Sequence, residues 1–210
     1  MIAIVDYGAG NLRSVEKALE SLGHEARITS VPEEILSASG VILPGVGAAA
    51  GIMGGLRRLG LVEPILETIR LGIPFLGVCM GLQVLFTESD EGGGERCLDV
   101  LPGRVRRLPE GLKVPHMGWN NVHQKRVHPL WEGIPDDSYF YFVHSFYVDP
   151  EQPSIMVGET RYGVPFTSAV ARGNVMGTQF HPEKSGSVGI HIYDNFAKLV
   201  INGIPGNTGG

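Results

Sequence analysis

The chain has 210 residues, 43% of them hydrophobic, which suits one fairly large domain with ample core. Its formal charge of −5 gives no reason to expect nucleic acid or an anionic membrane as a partner. The longest apolar stretches are of strand length, the N-terminus enters a strand without a basic region, and there are two cysteines, so a cytoplasmic protein with reduced thiols and no signal peptide is expected.

Ile2 to Asp6 reads as a short apolar strand. Asn11 is placed to cap a helix in which Leu12, Val15, Leu19 and Leu22 share a face, and Gly23 to end it. Glu25 to Thr29 and Val41 to Leu43 are further strands, the latter running into Pro44-Gly45-Val46-Gly47. Leu61 to Arg70 is helical, stopped by Gly72 and Pro74. This alternation predicts a three-layer α/β domain whose mainly parallel central sheet is flanked by helices, in the flavodoxin-like manner. Active sites of such sheets sit at the carboxyl ends of strands.

The next run, Ile73 to Gln83, carries the most chemistry. Gly77-Val78-Cys79-Met80-Gly81 is a Gly-x-nucleophile-x-Gly elbow with cysteine as the nucleophile. Two residues without Cβ let strand and helix close around a sharp turn. The start of a helix favours a thiolate at Cys79, and the N–H of Met80 faces an oxyanion formed on an acyl carbon. Downstream, His181-Pro182-Glu183 supplies a base and an acid two residues apart, on one side of an extended segment. Cys79, His181 and Glu183 thus form a candidate triad for covalent acyl chemistry. Their order differs from the Ser…Asp/Glu…His order of α/β-hydrolases. Taken singly, Cys79 reads equally as a buried structural thiol and His181 as a loop histidine.

From about Arg104 to Gln179 short strands and turns take over, including Tyr139 to Val148 and Pro165 to Val175 with a turn at Arg172-Gly173-Asn174. They predict an antiparallel extension of the main sheet. Ser187 to Ile201 is a closing helix. Residues 1–201 then form a single domain and 202–210 a loose glycine-rich tail. Other signals are weaker. Gly8-Ala9-Gly10 has Arg13 where a dinucleotide fingerprint needs its third glycine. Arg104, Arg106 and Arg107 read as a solvated strand edge. Cys97 has no partner motif. The histidines lack ligand spacing, so no metal is expected.

The elbow with Gln83, joined to His181-Pro182-Glu183, resembles the class I (triad) glutamine amidotransferases. Lys113 to Asn120, Tyr141 to Ser145, Gln179 to Gly186 and the opening Asp6 to Leu12 resemble, more narrowly, the glutaminase subunits of imidazole glycerol phosphate synthases, over nearly the whole chain. The resemblance implies hydrolysis of L-glutamine through a thioester on Cys79, with no cofactor. It also implies ammonia transfer to a separate cyclase subunit, a (β/α)₈ barrel, in histidine biosynthesis. It implies that Gly45, Val46 and Gly47 form a mobile strand beside the oxyanion, that Gln83, His144 and Ser145 hold glutamine, and that Asn11, Trp119, Tyr141 and Lys184 lie toward the partner. The chain departs from the family pattern at Ala48-Ala49-Ala50, where an aromatic is common, and at Cys97 and Asp99, which replace glycines. A glutaminase serving another synthase and a non-catalytic flavodoxin-like nucleotide-binding module remain as rival readings.

Overall fold

Five short apolar segments pair side by side to make the centre of the molecule. A computed structural model describes residues 1–204. Strand β1 (Ile2–Val5) leads through α1 (Leu12–Ser21) to β2 (Ala26–Thr29), then α2 (Pro32–Leu36) and β3 (Gly40–Gly45). Helices α3 (Ala49–Arg58) and α4 (Val62–Arg70) precede β4 (Phe75–Cys79) and α5 (Met80–Gln83). The chain continues through β5 (Phe86–Ser89), β6 (Glu95–Arg96), β7 (Leu101–Arg107), β8 (His116–Gln124), β9 (Ser138–His144) and β10 (Phe146–Pro150). It closes with β11 (Met156–Tyr162), β12 (Val164–Arg172), β13 (Val175–Thr178) and α6 (Gly186–Asn202).

The sheet runs in the order β2-β1-β3-β4-β13-β12-β10-β7-β5-β6. β2, β1, β3, β4 and β13 are mutually parallel, and every residue of β1, β3, β4 and β13 is buried, as a sheet covered on both faces requires. β12 joins β13 antiparallel through the turn at Gly173-Asn174, and the extension continues antiparallel through β10 and β7. β8, β9 and β11 form an antiparallel layer beside it. From β1 the chain goes first to β2 on one side and later to β3 on the other, so the strand order reverses between β1 and β3. Tyr7, Val46 and Cys79 follow or end the strands beside this reversal, where ligands of open α/β sheets bind.

Helix α1 ends as expected. Gly23 N–H bonds Glu20 O at 2.9 Å and His24 N–H bonds Leu19 O at 3.0 Å, the pair of a Schellman motif with glycine at its left-handed position. Asn11 stands at the helix start but takes no backbone N–H; its Oδ1 accepts from the Ser14 hydroxyl at 2.8 Å.

Several expectations are corrected. Helices α2 and α3 were not anticipated. α3 contains Gly51, Gly54 and Gly55, which weaken helix propensity, yet Ala49, Ile52, Met53 and Leu56 bury one face at helical spacing. The helix after the elbow is a single turn, so it supplies only a short dipole to Cys79. The run Tyr139 to Val148 is broken at Ser145 into β9 and β10. β7 is not an edge: it lies between β10 and β5, and Arg104 pairs with Glu88 and Asp90 and Arg106 with Asp149. The closing helix includes Asn202, and most of the expected tail, 205–210, falls outside the described residues.

Candidate active site

Strand β4 delivers Cys79 to the end of the parallel sheet at φ 55° and ψ −109°, a left-handed conformation unusual for a residue with a side chain. Such a conformation costs on the order of 1–3 kcal/mol and persists only where its surroundings enforce it. Here the enforcement is close packing of backbones. A Cβ on Gly81 would overlap the Leu43 carbonyl, and one on Gly45 would overlap the Met80–Gly81 peptide. Both glycines let β3 lie directly against the turn. Met80 is the first residue of α5, so its N–H has no acceptor within the helix.

Cys79, Met80, Gly45, Val46, Gly47, His144, Ser145, His181 and Lys184 all line one cleft of ≈ 340 Å³. His181 enters it from the segment after β13, with its backbone N–H on the Tyr141 carbonyl at 3.0 Å. Its Nδ1 meets Glu183 Oε1 at 2.8 Å, both side chains being almost wholly buried. Tyr193, from α6, donates its hydroxyl to the other carboxylate oxygen at 3.1 Å. Burial works against the His181 imidazolium, but its bonds and charge interactions with Cys79 and Glu183 prevail and push its pKa up to about 9. Burial likewise opposes charge on Glu183, and the His181 partner outweighs it, so Glu183 stays below the ordinary carboxylate value. The three expected triad members are therefore together, with His181 carrying its proton at neutral pH.

Around the sulfur, Sγ lies 3.8 Å from the Val143 carbonyl and 3.8 Å from Gln179 Nε2. Gln83 stands behind this layer and does not line the cleft. It is fully buried, and its Nε2 donates to Phe146 O at 2.8 Å and to Gln179 Oε1 at 3.0 Å. Gln83, expected to help hold the substrate, here supports Gln179, whose amide reaches the sulfur. His144 lines the cleft with both ring nitrogens committed: Nδ1 to Phe146 O and Nε2 to His116 Nδ1, each at 2.8 Å. An amide nitrogen only donates, so Asn120 Nδ2, 3.3 Å from His116 Nε2, fixes a chain of neutral rings running to the Phe146 carbonyl. Burial holds His116 down to about 4 and His144 to about 3.

Lys184, expected toward a partner, is an exposed cation on the cleft itself. Opposite in charge is Glu91, which the sequence reading missed. It lines the cleft and also accepts the Ala49 N–H at 2.8 Å, capping α3. Its loop, Asp90 to Gly94, carries no motif, so only the tertiary structure finds it. Gln179 and Tyr193 were missed too, although Gln179 adjoins Phe180-His181-Pro182-Glu183. Trp119 is 55% exposed and meets Tyr141 edge-to-face at 6.1 Å. Asn11 is exposed beside Asp6, Gly10 and Arg13 in a separate open depression. Among the described residues, His123, Asp136 and Asp137 come close together on the surface, each already bonded within the protein.

A family model described as glutamine amidotransferase class-I matches residues 3–199. The imidazole glycerol phosphate synthase subunit HisH of Dehalococcoides mccartyi is 54% identical over 201 residues, covering 96% of this chain and 98% of the relative. Its namesake in Moorella thermoacetica is 52% identical over 208 residues, covering 99% and 98%. Among solved structures, one titled as a glutamine amidotransferase superposes with a TM-score of 0.76 at 21% identity, over 95% of this chain and 99% of its own. The structure of PurLQS from Thermotoga maritima gives a TM-score of 0.76 at 18% identity, over 95% and 98%. Those two likenesses speak to the fold alone.

Proposed function

The chain belongs to the class I glutamine amidotransferases, and from that premise we propose that it is the glutamine-hydrolysing subunit of an imidazole glycerol phosphate synthase, acting in histidine biosynthesis. The observation that carries this reading is Cys79, held at φ 55°, in one cleft with the His181–Glu183 pair at 2.8 Å. The full-length likeness to synthase subunits at 54% and 52% identity favours this synthase over others. A non-catalytic nucleotide-binding module would leave that buried ion pair without a task.

The reaction follows from the site. Cys79 Sγ attacks the side-chain amide carbon of glutamine, and a C–S bond forms. The carbonyl oxygen takes the negative charge toward the Met80 N–H and the strand Gly45 to Gly47. His181 gives its proton to the amide nitrogen, the C–N bond breaks, and ammonia leaves a glutamyl thioester. Water then attacks the thioester, losing a proton to His181, and glutamate departs as the C–S bond breaks. Glu183, steadied by Tyr193, holds the imidazole and balances its charge. Glu91 and Lys184 offer opposite charges to the ammonium and carboxylate of the amino acid. Ser145, at the break between β9 and β10, adds a hydroxyl to the wall.

Ammonia passes to a second subunit, a (β/α)₈-barrel cyclase, docked beside the cleft. The exposed apolar residues Met117, Trp119 and Tyr139, together with Tyr141, share one face of the β8–β9 hairpin, and Val143 of the cleft lies on that face too. Cys79→Ala in the complex tests the whole reading. Glutamine-dependent synthesis should be lost, while turnover on added ammonium persists, because the cyclase chemistry sits on the other chain. Substantial glutamine-dependent turnover by this variant would overturn the nucleophile assignment.

A further inference from the structure

Two buried amides stand in line behind the nucleophile. Gln83 and Gln179 are both fully buried, and neither lines the cleft. Their hydrogen bonds fix which way each amide faces. A carbonyl only accepts, so the Gln83 atom 2.8 Å from the Phe146 oxygen is the nitrogen. The same nitrogen lies 3.0 Å from the Gln179 amide, so the atom it meets there is Oε1. Gln179 is left with its Nε2 toward Cys79 Sγ, at 3.8 Å. Its backbone is anchored as well, the N–H donating to the Ser168 carbonyl of β12 at 2.8 Å. Gln83 Oε1 is buried without a partner among the described residues, which is destabilising. Turning that amide over would be worse, since it would set oxygen against both the Phe146 carbonyl and Gln179 Oε1. The sulfur therefore has unlike neighbours at equal distance. The Val143 carbonyl, also at 3.8 Å, suits a thiol, which donates. The Gln179 N–H suits a thiolate, which accepts.

We propose that Gln179 is a further catalytic residue, whose Nε2–H donates to the Cys79 sulfur and stabilises it as a thiolate, and that Gln83 is the positioning residue that fixes the direction of that amide. This rests on the glutaminase reading above and concerns the same site. A hydrogen bond made to the charged form favours that form. The bond acts twice in the reaction. It helps keep the thiolate that attacks the amide carbon. When water has added to the thioester and the C–S bond breaks, the electron pair returns to sulfur, and the same N–H receives it. His181 also bonds the sulfur, but it must release its proton to the leaving ammonia. An amide N–H is never released, so Gln179 remains a donor through every step.

Gln179→Met keeps the length of the side chain and removes the donor. Alkylation of Cys79 by iodoacetamide, followed by mass spectrometry across pH in the full chain, reads the result. In Gln179→Met the inflection should move to higher pH by about one unit or more, the scale of a hydrogen bond to a charged group. The alkaline plateau should stay within about threefold of wild type, because a less stabilised thiolate is only a slightly better nucleophile. Loose packing alone would change the plateau and leave the inflection in place. Gln83→Met, which does not touch the sulfur, should move the inflection in the same direction by a smaller amount. An unmoved inflection in Gln83→Met alone would overturn the positioning role of Gln83. Unmoved inflections in both variants would overturn the whole proposal. Wild-type turnover of glutamine in complex with the cyclase subunit separates the two readings. If the complex hydrolyses glutamine and the inflections coincide, the glutaminase reading stands and the Gln179 donor falls. If it does not hydrolyse glutamine, both fall. The wild-type chain gives a measurement that needs no variant. In nitrogen-15 spectra the Gln179 side-chain amide should titrate with the midpoint of Cys79 alkylation. An amide signal that ignores that midpoint would also overturn the proposal.

Discussion

At the scale of the residue, the chemistry turns on where protons rest. His181 is raised to about 9 against the cost of its burial, with Glu183 among the groups that hold it there. The protonated imidazole is the acid that ammonia needs on leaving, so glutamine hydrolysis should decline as pH rises through about 9. Glu183→Gln keeps a hydrogen-bond acceptor but removes the charge. Its pH–rate profile should therefore lose activity at a lower pH than the wild type, with a smaller fall in the plateau rate than His181→Ala causes. The latter removes proton transfer itself, an effect of about 10²–10⁴-fold. Identical alkaline limbs in wild type and Glu183→Gln would reduce Glu183 to a structural role. A quieter site is Asp99, exposed and at φ 54° where glycine would be at ease. Asp99→Gly should stabilise the chain by about 0.5–1 kcal/mol, read as a shift of the denaturation midpoint with unchanged glutaminase activity.

Elements decide which of these residues meet. The β8–β9 hairpin has two unlike faces. One buries His116, Phe140, Phe142 and His144 in stacked and edge-on contacts; the other shows Trp119, Met117 and Tyr139 to solvent. Trp119→Ala should therefore leave the melting temperature of the isolated chain nearly unchanged, yet weaken binding of the cyclase subunit by about thirtyfold, the scale of an aromatic hot spot. Titration of the partner by calorimetry checks both halves of that statement. The same hairpin explains what could be read in advance. Cys79, His181 and Glu183 were legible because local chemistry marks them: a glycine-bounded elbow and a proline-spaced pair. The parallel half of the sheet was legible from apolar runs alternating with helical periodicity. Glu91 and the support role of Gln83 were not, because each depends on a contact across 42 or 63 residues of sequence. Helix α3 was hidden by glycines whose propensity argues against a helix that burial enforces. The kink at Ser145 was hidden because an apolar run does not reveal where a strand changes partner.

Across the whole molecule, buried histidines give stability a preferred pH. His116 and His144 sit at about 4 and about 3 in the folded chain, driven down by burial, whereas an unfolded histidine titrates near 6.5. Below pH ~6.5 the unfolded chain takes up protons that these rings refuse, so their contribution is complete above that pH and is lost as pH falls. His181 acts in the opposite sense. Raised to about 9, it retains a proton that the unfolded chain gives up near 6.5. Its contribution is complete below ~6.5 and is lost as pH rises through 9. The two windows adjoin, so stability should peak near pH ~6.5 and fall on both sides, each group adding a slope of at most about 1.4 kcal/mol per pH unit. Urea unfolding at intervals from acid to alkaline pH measures the curve. His181→Gln removes the group responsible for the alkaline side and leaves the His116–His144 chain in place. The variant's curve should flatten above pH ~6.5 and keep its acid slope. A variant curve parallel to the wild type over the whole range would mean that His181 carries no proton in the folded chain beyond what it carries unfolded.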